Sequence, residues 1–280
     1  MIPQVDFFGR MVSRLVLGDN PVHGHTYIPE IFSREDMLQY YSEQNFIADM
    51  RLARSVGCNA HMLLANEFTL RALLHDPCEE RERNLIFQSY PPMDFKTNVR
   101  EMAAFHPAGI YHQGTTTDGF CEEGKHQVVR DRIKRIHDAG VKAGIGTHVP
   151  ETVLRAEDED WGVDFYVTCL HNTRIRGDAN ESSFITGKPK HLKFFMEDRP
   201  AMYEAIRAVP KPFIAFKIFA GGQIFYHQSG EALKQAAKRA FEEAYANIKP
   251  SDVCCMGCFQ RDKNQIAENA ELVREILGNG

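Results

Sequence analysis

Short runs of apolar and β-branched residues alternate along this chain with segments of helical period, and the alternation repeats eight times. The runs read as strands are Leu15–Gly18, Asn59–Leu63, Leu85–Gln88, Gly109–Gln113, Lys142–His148, Asp164–Asn172, Phe213–Ala220 and Asp252–Phe259. Strands that alternate with helices lie parallel, because each helix carries the chain back across the sheet. Eight is the number at which such a sheet closes into a (β/α)8 TIM barrel. An open doubly wound sheet is the alternative, but no G-x-G-x-x-G follows the first strand. The expected fold is therefore α/β, a TIM barrel whose lower end is covered by an N-terminal β-hairpin around Gly9 to Leu17.

The helical segments carry their own signals. Ser33 stands as an N-cap before Asp36–Val56, Gly140 as a left-handed C-cap after Gly124–Ala139, and Pro150 opens Glu151–Glu159. Further helices are expected over Pro200–Val209, Glu231–Ile248 and Lys263–Leu277. No linker or shift of composition divides the chain, so residues 1–280 read as one domain. One long irregular stretch, 172–198, carries Arg174, Arg176, Lys188, Lys190 and Lys193. Loops after barrel strands build the active face, so this one is expected to be a mobile lid over the mouth, with Arg174 or Arg176 meeting an anionic group.

Composition narrows the partners. The 33 basic and 38 acidic side chains give a net charge of −5, which argues against nucleic acid. With 43 % hydrophobic residues a packed core is available, yet no apolar run is long enough to span a membrane. Met1 to Arg10 lacks the features of a signal peptide. The seven cysteines are odd in number and scattered, which fits a reducing, cytoplasmic setting. The lone C-x-x-C in Cys254-Cys255-Met256-Gly257-Cys258 has no second pair, so these read as small strand residues filling the core. The expected partner is a small molecule.

The C-terminal ends of the strands are polar: Asp19 and Asn20, His61, Gln88, His112, His148, His171 with Asn172, and Lys217. Histidine is both a natural acid–base group and a common metal ligand. His112, His148 and His171 on successive strands are candidates for a three-histidine face holding a divalent metal. In Ile214-Ala215-Phe216-Lys217-Ile218, alternation places Ala215 and Lys217 on one face, expected to be the barrel interior. A lysine there needs a partner acid, Glu67 or Asp19, or a ligand.

The order of local motifs resembles the aldo-keto reductase superfamily over nearly the whole chain. Phe8-Gly9-Arg10, Val12 to Leu15 and Leu17-Gly18 resemble its opening hairpin and first strand. Gly57-Cys58-Asn59 is similar to its second strand entry, and Ala139 to Ile145 with Thr147-His148 to its fifth strand. Ile214 to Gly221 resembles the seventh strand, and Arg261 with Gln265 to Asn269 the C-terminal adenosine-binding segment. The resemblance implies a barrel and an NADP cofactor, with Phe216 stacking on the nicotinamide and Gly221 near the pyrophosphate. Arg261, Glu268 and Asn269 would hold the adenosine end, Arg261 favouring a 2′-phosphate.

The family's catalytic set is mostly replaced. Its aspartate falls on Met62 and its tyrosine on Glu67, or on Asn59 and Leu64 in a gapped alignment. Its lysine falls on Gln88, its carboxamide-holding pair on Thr147-His148, and a small hydroxyl on Lys217. His112 alone matches. Carbonyl reduction needs a proton donor to the nascent alkoxide, so the family's mechanism does not carry over.

The expected function is therefore an enzyme with non-redox acid–base chemistry, a lyase, isomerase or hydrolase acting on a small polar, carbohydrate-like substrate. His112 and His148 would be its acid–base groups, Lys217 a clamp or nucleophile, and Glu67 a substitute acid. The alternatives are an atypical NAD(P)-dependent oxidoreductase and a non-catalytic ligand-binding barrel. His112, His148 and Lys217 should line one pocket, with nearby cationic groups lowering each other's pKa.

Overall fold

The computed structural model describes residues 1–78, 83–172 and 198–278. Strands β3 (Leu15–Gly18), β4 (Ala60–Leu64), β5 (Asn84–Gln88), β6 (Gly109–His112), β7 (Ala143–Thr147), β8 (Phe165–Cys169), β9 (Phe213–Phe216) and β10 (Val253–Gly257) are all parallel. β10 pairs with both β9 and β3, which closes the barrel. Before it, β1 (Gln4–Phe7) and β2 (Arg10–Ser13) form an antiparallel hairpin. The fold is a (β/α)8 TIM barrel with an N-terminal hairpin.

The barrel encloses a core of Val16, Ala60, Ile86, Phe165, Val167, Ile214, Val253 and Cys255. Phe7 and Val12 of the hairpin join it from below, Phe7 meeting Phe165 edge-on at 5.2 Å between ring centroids. The alternate strand residues, among them Leu15, Leu63, Phe87, Ile110, Ile145, Phe213 and Cys254, pack against the surrounding helices. All three cysteines of the Cys254–Cys258 segment are buried thiols.

Helices follow the strands: α1 (Arg34–Tyr40), α2 (Glu43–Ser55), α3 (Glu67–His75), α4 (Phe95–Ala103), α5 (Gly114–Glu122), α6 (His126–Asp138), α7 (Pro150–Asp158), α8 (Asp198–Ala208), α9 (Gly230–Asn247) and α10 (Gln265–Gly278). The continuous helix expected over 36–56 is two helices. Ser33 and Asp36 form a reciprocal capping box on α1, and Ser42 starts a new helix by accepting the Asn45 amide at 3.2 Å. Helices α3, α4 and α5 escaped the sequence reading. Each is capped by the polar residue before it, Asn66, Asp94 and Gln113, whose side chains accept amides of Thr69, Thr97 and Thr116. The expected lid, residues 172–198 with Arg174 and Arg176, lies almost wholly outside the described residues. Its two ends stand together: Asn172 donates to the Asp198 carboxylate at 2.7 Å. Among the described residues no helix is long and apolar enough to cross a membrane.

Candidate active site

The C-terminal mouth of the barrel opens into a cleft of about 690 Å3. Its floor is made by inward-facing strand residues, Met62, Gln88, Tyr111, Gly146, Val167, Phe216 and Cys255. From there it runs outward under the loops after β3 and β9 to the first turns of α9 and α10. Those two loops meet above β10. Gln223 donates to the Tyr27 carbonyl at 3.2 Å, and Tyr226 hydrogen-bonds Glu30. Gly221 has a φ of +61°, and a Cβ there would lie 2.6 Å from the Tyr27 ring, so the close approach of the two loops requires glycine.

Lys217 lines this cleft, but not through strand alternation. Ile214 and Phe216 face the barrel interior and Ala215 faces the helices, the reverse of the expected assignment. The strand ends at Phe216, and Lys217 then adopts a left-handed φ of +58°, which turns its side chain toward the mouth. His171 holds this turn: its Nδ1–H donates to the Lys217 carbonyl at 2.7 Å while Nε2 accepts from Arg199 at 3.0 Å. The ammonium sits 4.8 Å from the Tyr27 ring centroid and 5.7 Å from that of Phe216. Burial acts to lower the Lys217 pKa, neighbouring Tyr27, Cys169 and Asp118 act to raise it, and the net direction is upward. The lysine is a cation, and the expected mutual lowering is replaced by stabilisation of its charge.

His148 also neighbours Phe216, its ring 5.6 Å from the phenyl centroid. Nδ1–H donates to Asp118 Oδ2 at 2.8 Å, and the same oxygen accepts the His148 amide at 3.0 Å. Thr147 Oγ1 donates to the other carboxylate oxygen at 2.5 Å. Asp118 is fully shielded while the His148 side chain retains 11 % exposure at the cleft. This pairing depends on α5 lying close to β7: a Cβ on Gly146 would stand 2.9 Å from the Gly114 nitrogen. Asp118 carries no signal in the sequence. It sits mid-helix between Thr117 and Gly119, and only the packing of α5 on β7 brings it to His148.

A third polar group faces the cleft floor. Gln88 accepts the Tyr111 hydroxyl at 2.8 Å through Oε1, and its buried Nε2 has no hydrogen-bond partner among the described residues. A buried donor left without a partner costs roughly 1–3 kcal/mol, so such a group is one that a ligand oxygen would satisfy.

Other expected residues stand elsewhere. His112 is a correction: Tyr111 takes the inward position on β6, so His112 points to the helices and is wholly buried. There its Nδ1–H donates to Thr117 at 2.8 Å, Nε2 accepts from Arg132 at 2.7 Å, and its ring lies beside those of Phe95 and Phe120. Burial, then Arg132, lowers its pKa to about 3. Glu67 also falls outside the cleft. It opens α3 with its side chain 88 % exposed, 3.5 Å from Arg71. Asp19 lines the cleft but is used locally, accepting the Leu64 amide at 2.6 Å and meeting His23 at 2.9 Å.

His112, His148 and His171 thus do not converge. Among the described residues no group of three or more His, Cys, Asp or Glu side chains could hold a metal ion. The residues expected at a dinucleotide divide. Phe216, Gly221, Glu268 and Asn269 line the cleft. Arg261 does not; its guanidinium is held by Asp36 at 2.8 Å and Asp262 at 2.9 Å. Lys263, at the outer end, pairs with Glu268 at 2.7 Å, and Glu231 and Glu271 line the same arm. This acidic end does not fit the phosphates of NADP.

The sequence matches no protein-family model and no curated protein. Solved structures match along almost the full chain at low identity. Dihydropteroate synthase from Xanthomonas albilineans, in complex with 7,8-dihydropteroate, is 12 % identical with a TM-score of 0.54, covering 99 % of this chain and 98 % of that one. A putative 2,5-diketo-D-gluconic acid reductase B is 10 % identical with a TM-score of 0.54, covering 99 % and 92 %. The N-acetylmannosamine-6-phosphate 2-epimerase from Clostridium perfringens is 13 % identical with a TM-score of 0.50, covering 95 % and 93 %. At such identities the likeness is one of fold. A putative reductase stands among these neighbours beside a synthase and an epimerase, so the barrel is shared and no one chemistry is.

Proposed function

We propose that the protein is an enzyme that moves a proton at a carbon adjacent to a carbonyl group of a small polar substrate, the chemistry of isomerases and lyases. The observation that carries this reading is the Asp118–His148 pair, 2.8 Å apart, with His148 facing the same cleft as the Lys217 ammonium. The Nδ1–H bond to Asp118 fixes the tautomer in which Nε2 is the basic nitrogen, the arrangement of an oriented general base. His148 Nε2 accepts the proton from carbon. The electron pair moves onto the carbonyl oxygen, and Lys217 and the Gln88 amide stabilise the enolate. Reprotonation of the same carbon on its opposite face completes an epimerisation. Where that carbon bears a hydroxyl, transfer of the hydroxyl proton to the enolate oxygen lets the former carbonyl carbon take the proton instead, which completes an isomerisation. Expulsion of a β-substituent with the same electron pair completes an elimination.

Relative to the sequence reading, His148 and Lys217 keep their roles, Asp118 replaces Glu67 as the participating acid, and His112 has no part. Lys217 acts as an electrostatic clamp, because a stabilised ammonium is not a nucleophile. The test is exchange in D2O. Aldoses, ketoses and 2-oxo acids are incubated with the protein and deuterium incorporation next to the carbonyl is read by NMR. Incorporation that is lost in His148→Gln supports the reading. Saturable binding without exchange by any of these compounds overturns it in favour of a non-catalytic ligand-binding barrel.

A further inference from the structure

The cleft is chemically uneven along its length. Its inner end holds Lys217, the unpartnered Gln88 amide nitrogen and His148. Its outer arm is walled by Ile28, Phe32, Phe219, Phe225, Leu233 and Phe259. The aromatic walls are fixed by edge contacts, Phe32 with Phe259 at 5.4 Å and Phe219 with the buried Phe241 at 5.1 Å. At the outer rim of this arm Glu231, Glu268 and Glu271 outnumber Lys234 and Lys263, while the Asp19 carboxylate, which also lines the cleft, is held by the Leu64 amide and His23. A ligand filling this space presents an anionic, oxygen-bearing head to the inner end and apolar surface to the arm.

Resting on the acid–base reading above, we infer that the substrate is an amphipathic monoanion, a 2-oxo carboxylate whose acyl or aryl tail occupies the outer arm. The carboxylate pairs with the Lys217 ammonium and the 2-oxo oxygen accepts from Gln88 Nε2, which places C3 before His148. The apolar arm takes the tail for the ordinary reason that each buried methylene leaves water. An acidic rim repels a polyphosphate and leaves an uncharged chain unaffected.

The experiment is a series of 2-oxo acids of rising length, pyruvate, 2-oxobutanoate, 2-oxohexanoate and 2-oxooctanoate, titrated calorimetrically into the full chain. Exchange at C3 in D2O is followed in parallel. Affinity is expected to rise about fourfold per methylene until the arm is full. Leu233→Glu, which puts a carboxylate among the apolar walls, is expected to flatten the series, and 1-octanol is expected to bind at least tenfold more weakly than 2-oxooctanoate. Affinity independent of chain length in the wild-type protein overturns the inference, as does NADPH displacing 2-oxooctanoate. The two readings fail separately. A length-dependent series without C3 exchange leaves the tail assignment standing and removes the catalytic reading. Exchange without length dependence does the reverse.

Discussion

Lys217 is a lysine in the left-handed region, a conformation that non-glycine residues reach at a cost of order 1–3 kcal/mol. The cost is met by the His171 hydrogen bond to its carbonyl and by the charge-stabilising groups around its ammonium. Lys217→Met should therefore abolish turnover or weaken anionic ligands at least 100-fold while the melting temperature falls only modestly, because the charge stabilisation that is lost is partly offset by relief of the ammonium's desolvation. Thermal melts beside ligand titrations check both halves; a collapse of the melting temperature would make the lysine structural. Asp118 has a different kind of role. Asn in its place can present its NH2 to His148 Nδ1 and reverse the tautomer. Asp118→Asn should thus lower kcat by about 10²–10⁴ with little change in KM, read by steady-state kinetics on a substrate found by the exchange screen.

At the level of elements, the dyad is set by how closely α5 approaches β7. The contact runs through backbone, Gly146 against Gly114, so no flexible side chain can yield. Gly146→Ala should push the helix outward, destabilise the fold by about 1–3 kcal/mol in urea titrations, and lower kcat through loss of the Asp118–His148 bond. A stable variant with full activity would show that the approach is not needed. The roof made by the loops after β3 and β9 follows the same logic: Gly221 exists for the Tyr27 ring, and Tyr27 in turn meets Lys217. The alternation of β9 was legible as a pattern but not as a direction. Ala215 and Phe216 satisfy either face by size, and the closed barrel chooses Phe216 for its interior because the small residue allows helices to come near.

Across the whole molecule, acid sensitivity follows from three buried histidines. His25, His61 and His112 are each lowered to about 3, chiefly by burial and secondarily by neighbouring positive charge. The folded pKa lies below the unfolded one, so the unfolded chain binds more protons between these values. Stability is complete above about pH 6.5 and is lost as the pH falls toward 3, each histidine contributing up to about 1.4 kcal/mol per pH unit. Melting temperatures measured from pH 7 to pH 4 should fall accordingly. Both ring nitrogens of His61 are buried without a hydrogen-bond partner among the described residues. His61→Met should raise the melting temperature at pH 5 and reduce the acid slope by about one proton, since it removes a polar group that gains nothing in the fold. An unchanged slope would show that His61 titrates normally.

The sequence by itself determined the barrel. Eight apolar runs separated by helical segments, with no G-x-G-x-x-G after the first, point to a closed parallel sheet buried on both faces, and the seven scattered cysteines need no bridge to complete it. It also placed His148 and Lys217 at strand ends, and both line the cleft at the barrel mouth. Tertiary structure alone decided which polar residues share the cleft. One residue of register separates Tyr111, which enters the mouth, from His112, which Arg132 and Thr117 hold among the helices. Asp118 and Tyr27 reach the site across contacts between elements distant in the chain, α5 on β7 and the first loop on the seventh. Periodicity along one strand records which residues share a face; it contains no term for what a neighbouring strand, helix or loop places opposite them.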